Sequence, residues 1–503
     1  LDNVTAGALV IANNGATAGS RILDSGVLTV SGTSSFTTAA SDGVITLDSA
    51  NAFTGAVTLN TNSSGSSANA TLDNGTTALI IAESTVGGTL TLTSGATAGI
   101  IDTMATASGT VIVGVNFSAT TDANNGVINM GDLAVDGTIA LTTHGTGDAT
   151  VVNAVGLKFA ASTIGGDLTA TASDGDVIQS GALTIVGATT ITATGNDVTL
   201  DTATNDFDSD DANNKFVTIT GKDVKIRDTD AIYLGRQTIS GNLTVTAGGN
   251  IDDGGILTVA ETTTITGGGH VKLNDTGSDY VGTVNIDAGG QIQLKDQNNI
   301  ELGTITGTGT FELTASQGST GAVTQTGTGT ITMANPTTIT NTGGDVTLTR
   351  ATNNFGSDGT GSVKITGANV EVVDGVATTI GGNSIGIDLG ASTVSGTYTV
   401  TAIAGNIIDS GTLAITGLAT LKTTESNADI ELDQTGSTFA AGISLNTTGS
   451  SGNATVDNGT NALIIAASSL GGNLTLTSGH GDGIIDKAGE IVTVGGNLSA
   501  TTN

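Results

Sequence analysis

Residues 241–259 read GNLTVTAGGNIDDGGILTV, and the order of residue types in this stretch decides the fold. Leu243 and Val245 alternate with Thr244 and Thr246, the period of two expected of a strand with one buried face. The strand stops at Gly248-Gly249-Asn250, a cluster that supplies turns with positive φ. A small-Gly-x-apolar step follows at Gly254-Gly255 and leads into the next apolar run.

The same words recur along the chain. Relatives of the first strand begin at Gly88-Thr89-Leu90, Gly166-Asp167-Leu168, Gly396-Thr397-Tyr398 and Gly472-Asn473-Leu474. The small-Gly step returns at Ser25-Gly26, Ser108-Gly109, Ser180-Gly181, Thr326-Gly327, Ser410-Gly411 and Ala488-Gly489, so that the intervals along the whole series are 83, 72, 74, 72, 84 and 78 residues. A third landmark ends on an aromatic ring at Phe53, Phe207, Tyr280, Phe355 and Phe439. At longer range, residues 72–102 and 456–486 share 22 of 31 positions at an offset of 384. Self-similarity at a fixed period is the mark of a repeat architecture.

Composition agrees. Among 503 residues there are 76 glycines, one proline (Pro336), no cysteine and no tryptophan; charged residues make up 12% and aromatics 2%. Disorder is excluded by a hydrophobic fraction of 37% carried at strand spacing, because disordered chains lack the apolar surface to bury. Scarce proline fits strands whose amides are all needed for pairing. Modules this poor in bulky residues cannot each close a sandwich, whereas stacked coils satisfy backbone groups above and below while small apolar side chains fill a narrow interior. The predicted fold is therefore all-β, a right-handed parallel β-helix (β-solenoid) running as one continuous structure over 1–503, built from modules of about 77 residues. The recurring rings are expected to be core filler. Leu1 is not an initiator methionine, and the chain reads as a fragment of a longer one.

The word order from Val177 to Val259 resembles the repeat regions of filamentous-haemagglutinin-like exoproteins, large adhesins of Gram-negative bacteria. That resemblance covers essentially the entire chain. It implies a right-handed β-helix, export through an outer-membrane secretion partner, and an extracellular or cell-surface place in attachment, aggregation and biofilm. The Asn-Pro-Asn motifs of that family's secretion domain are missing, since Pro336 is followed by Thr337.

Chemistry is sparse. A net charge of −33 repels nucleic acid and anionic lipid, and no apolar run approaches the length that spans a bilayer. Catalysis needs convergent titratable groups, but His144, His270 and His480 fall in different modules, and no enzyme is expected. The densest acidic cluster is NDFDSDDANN, residues 205–214, where Asp206, Asp208, Asp210 and Asp211 are candidate calcium ligands. Read as an EF-hand loop from Asp206, position six is Asp211 instead of glycine and position twelve is Val217 instead of glutamate, so only half of that pattern is present. The expected function is an adhesive extracellular fibre whose partners are a host or neighbouring-cell surface or matrix. The alternative is a filament, sheath or matrix polymer in which like chains meet laterally or end to end.

Overall fold

A computed structural model describes residues 1–17, 19–103, 109–208, 215–315, 321–380 and 382–502. Every regular element among them is a strand, and the strands pair in parallel with those one coil earlier and one coil later, as in Thr150↔Thr169 and Thr169↔Thr190. The fold is a β-solenoid. An antiparallel hairpin, Thr378–Ile380 with Asn383–Leu389, departs from the parallel rule. No helix among the described residues is long and apolar enough to cross a membrane. The chain divides into two compact units, Leu1–Gly248 and Gly249–Asn503, each wound in this way.

Alternation does what the sequence predicts. In Leu243–Ala247 the burial pattern is strictly in and out, with Leu243 and Val245 at 1% and 0% exposure. Each such aliphatic side chain contributes roughly 1.5–3 kcal/mol on burial. The module aromatics Phe53, Phe207, Tyr280, Phe355 and Phe439 are all buried, and Phe53 meets Phe36 edge to face at 5.8 Å, an arrangement that ring quadrupoles favour.

Two landmarks that are far apart in sequence turn out to be neighbours. The strand after the small-Gly step lies directly beneath the aromatic of the next coil: Val30↔Phe53 and Ile185↔Phe207 in the first unit, Val259↔Tyr280, Met333↔Phe355 and Ile415↔Phe439 in the second. This register corrects one landmark. The step equivalent to Ser180-Gly181 in the stretch before Met333 is Thr328-Gly329, two residues after the Thr326-Gly327 of the sequence reading. Ser108, which marks another step, lies outside the described residues.

Coil length is uneven, and the unevenness has a consequence. Thr189 pairs with Val217, but Val217 pairs with Leu234 after only 17 residues, because a single strand, Val224–Asp228, intervenes. The long strand Ile232–Ile239 then bulges between the partners of Val217 and Ile219. Gly235 sits there, where an added Cβ would stand 2.3 Å from Thr218 Oγ1, so a larger residue would force the Thr218 side chain to shift. After a shortened coil, equivalent strands appear on the other sheet. Within the first unit Leu90–Ser94 belongs to one sheet, Leu168–Ala172 to the other and Leu243–Ala247 to the first again. Within the second unit Phe311–Thr314, Tyr398–Ala402 and Leu474–Ser478 alternate likewise.

Candidate functional site

The interior contains polar atoms at fixed places. Two residues before each module aromatic stands a buried Asn or Ser whose oxygen accepts the amide at the start of the strand one coil earlier: Leu28 to Asn51, Leu183 to Asn205, Leu257 to Ser278, Ile331 to Asn353 and Leu413 to Ser437, at 2.8–3.1 Å. These side chains replace a backbone acceptor where the coil turns and the ladder lapses. One coil further on, a second position does the same for the aromatic's own amide. Phe53 donates to Asn74, Phe207 to Asp228, Tyr280 to Asp296 and Phe355 to Asp374, at 2.8–3.0 Å.

The acidic cluster read from residues 205–214 divides under this architecture. Asp206 occupies the two-residue strand Asp206–Phe207, paired with Thr184 and Ile185. Its carboxyl lies with those of Asp228 and Asp230, ligand atoms of all three being within 4.8 Å of one another. Asp208 takes a left-handed conformation at φ 71° and is buried; its Oδ2 accepts the Lys215 amide at 2.9 Å. Asp210 and Asp211 lie outside the described residues. Sequence reasoning missed Asp228 and Asp230, which follow Asp206 by about one coil. Adding a coil length of 19–24 residues to each acidic position would have found them.

Electrostatics at this corner is governed by burial. Asp228 is pushed up to about 8, first by desolvation and then by the adjoining Asp230 carboxyl, against the lowering effect of amide bonds from Asp230 and Phe207. Asp230 N donates to Asp228 Oδ1 at 3.1 Å, and Phe207 N to Oδ2 at 3.0 Å. Asp230 Oδ1 is buried without a hydrogen-bond partner. Three carboxyls in this space can share protons or hold a hard cation through oxygen, which for calcium would need several further oxygens.

The histidines stay apart. His144 Nδ1 contacts the Thr121 carbonyl at 2.7 Å, His270 Nε2 contacts the Asp252 carboxylate at 3.0 Å, and His480 Nδ1 stands 3.4 Å from Asp482. Half-buried and buried acids elsewhere serve loops of the next coil. Asp253 accepts the amides of Asn274 and Asp275, both at 3.0 Å, and Asp409 accepts that of Asp433 at 2.9 Å.

No characterised protein and no solved structure matches the chain. Residues 1–60, 146–213, 221–287, 289–362 and 367–446 match the family described as repeats of unknown function (DUF5649), and since these segments make up more than half of the sequence, the chain belongs to that family.

Proposed function

We propose that this chain is the stalk of a secreted adhesive fibre on the surface of a Gram-negative bacterium, of the filamentous-haemagglutinin-like kind, exported with an outer-membrane partner and non-catalytic. The observation that carries this reading is the use of the buried polar groups: the Asn, Ser and Asp side chains turned toward the interior accept amides from adjoining coils, which is the work of a scaffold. The resemblance of residues 177–259 to such exoproteins supports the same class. Its partners are a host or neighbouring-cell surface or matrix. Tomography of the native cell with an antibody against this chain tests it. Isolated stalks are expected; labelled continuous filaments or sheets would select the polymer alternative, and label confined to the cytoplasm would overturn both.

A second reading attaches to the corner of Asp206, Asp228 and Asp230. Their ligand atoms lie within 4.8 Å of one another, and with further oxygens completing the shell a calcium ion held there would clamp two coils together, a role compatible with the stalk.

A further inference from the structure

The chain has twelve aromatic residues, nine phenylalanines and three tyrosines. Ten of them are buried. The other two, Phe216 and Tyr233, face outward and are register partners on the adjacent strands Phe216–Gly221 and Ile232–Ile239; Phe216 is 41% exposed. Neighbouring strands lie about 4.8 Å apart, so the two side chains make one aromatic ledge on the outside of the first unit.

The scaffold does not require rings at this place. In the second unit the same bulge recurs between Thr283–Ala288 and Ile300–Gly307, with its register shift after Val284 and with Gly303 where the first unit has Gly235. Its paired outer residues are Thr283 and Glu301, whose side chains hydrogen-bond at 2.6 Å. A polar pair thus serves an equivalent backbone, and packing does not account for two rings left in contact with water.

The surroundings of the ledge are polar. Threonines lie beside it in register, Thr190↔Thr218 and Thr220↔Thr238, and their hydroxyls form rows at strand spacing. Across Leu168–Ala172, Thr189–Thr192, Phe216–Gly221 and Ile232–Ile239 the one charged residue is Arg236. It is exposed and belongs to no ion pair among the described residues.

Two rings are too little apolar area to hold a second protein, since stable interfaces bury about 1,200–2,000 Å². A net charge of −33 repels nucleic acid and other polyanions. An uncharged sugar ring suits every part. Where its hydroxyls are equatorial, both of its faces present C–H bonds, which meet the electron-rich face of an aromatic ring. Its hydroxyls then reach outward to threonine hydroxyls and to the donors of an arginine fork.

We propose that Phe216, Tyr233 and Arg236 form a binding site for a neutral, β-linked polysaccharide with equatorial hydroxyls, the rings serving as its stacking platform. Such a site gives the adhesive fibre proposed above a place to hold its partner. It would bind the same sugars in a polymer, so its loss leaves the stalk reading standing.

Calorimetry and affinity electrophoresis of the chain with cellohexaose and hydroxyethylcellulose test the site. Both probes are expected to bind. F216T/Y233T, which extends the threonine rows over the ledge, should bind at least about tenfold more weakly. Arg236→Thr, which installs the residue type found at Thr304 in the second unit, should lose on the order of tenfold. Carboxymethylcellulose, the same backbone carrying charge, should bind less well than hydroxyethylcellulose at low salt. Absence of binding to both neutral probes, equal binding by F216T/Y233T, or tighter binding of carboxymethylcellulose overturns the proposal. So does a dimer in sedimentation that F216T/Y233T dissolves, which would assign the rings to a second copy of the chain. If the double variant does not fold, unchanged binding by Arg236→Thr is the overturning result.

Discussion

The amide of Leu183 donates to Oδ1 of Asn205 at 3.0 Å, across 22 residues of sequence and one coil of structure. Asn205 is fully buried, and its amide nitrogen in turn donates to Gln179 Oε1 and the Leu200 carbonyl at 2.9 and 3.0 Å. Alanine at this position would strand the Leu183 amide and the Gln179 side chain in the interior. Asn205→Ala is expected to cost about 1–3 kcal/mol. Asn205→Ser should cost less, because Ser278 and Ser437 do this work in other modules. Urea denaturation of the two variants checks the order, and equal loss from both would contradict the assigned role.

Glycines divide by what lies over them. A Cβ on Gly65 would fall 1.2 Å from the Ser41 carbonyl oxygen in the adjoining coil, whereas a Cβ on Gly327 would meet nothing within 4 Å. Gly65→Ala must push two coils apart and is expected to cost several kcal/mol. Gly327→Ala, by removing freedom from the unfolded chain, should be neutral or stabilise by about 0.4–1 kcal/mol. Thermal melts of both variants would reveal whether backbone approach, and not turn flexibility, explains the glycine content.

The coil was legible in residues such as Leu243 and Val245 because a two-residue period needs no knowledge of the partner strand. The rings at Phe207 and Phe355 were legible as core because one aromatic recurs in each module and large apolar rings mostly go inside. The interior polar row was not. Asn205 stands beside Asp206 in a run of acidic and amide residues, and nothing local separates the side chain that enters the core from the one at its surface. Only the register, which puts Asn205 over Leu183 and Asp228 over Phe207, makes that distinction. For the same reason the calcium reading gathered four neighbours in sequence, while proximity in space joins Asp206 to Asp228 and Asp230. The alternation of equivalent strands between sheets was equally hidden, since it depends on the 17-residue step from Val217 to Leu234.

If calcium sits among Asp206, Asp228 and Asp230, it must displace the proton that burial holds on Asp228. Calorimetric titration at pH 7 in two buffers of different ionisation enthalpy should then show proton release, and Asp206→Asn should weaken the binding. No binding heat, or heat unchanged by Asp206→Asn, would leave the three carboxyls as a corner of the scaffold without calcium; binding heat independent of buffer would show that Asp228 gives up no proton to the ion.

Tyr398, like Phe311, is an aromatic where other modules begin the equivalent strand with leucine. Equivalent strands begin with Leu90, Leu168, Leu243 and Leu474, yet here a tyrosine is wholly buried, with its hydroxyl lacking a hydrogen-bond partner. Desolvation raises its pKa well above the ordinary tyrosine value, with the Ser392 side chain acting in the opposite direction, so the ring stays neutral at any physiological pH. Its contribution is volume, and the hydroxyl is a liability. Tyr398→Phe is accordingly expected to be neutral or stabilising by up to about 1–2 kcal/mol, while Tyr398→Ala should lose about 3–5 kcal/mol through the cavity it leaves. Chemical denaturation of the pair separates the two terms, and a phenylalanine variant less stable than the native chain would show that the hydroxyl has a partner in solution.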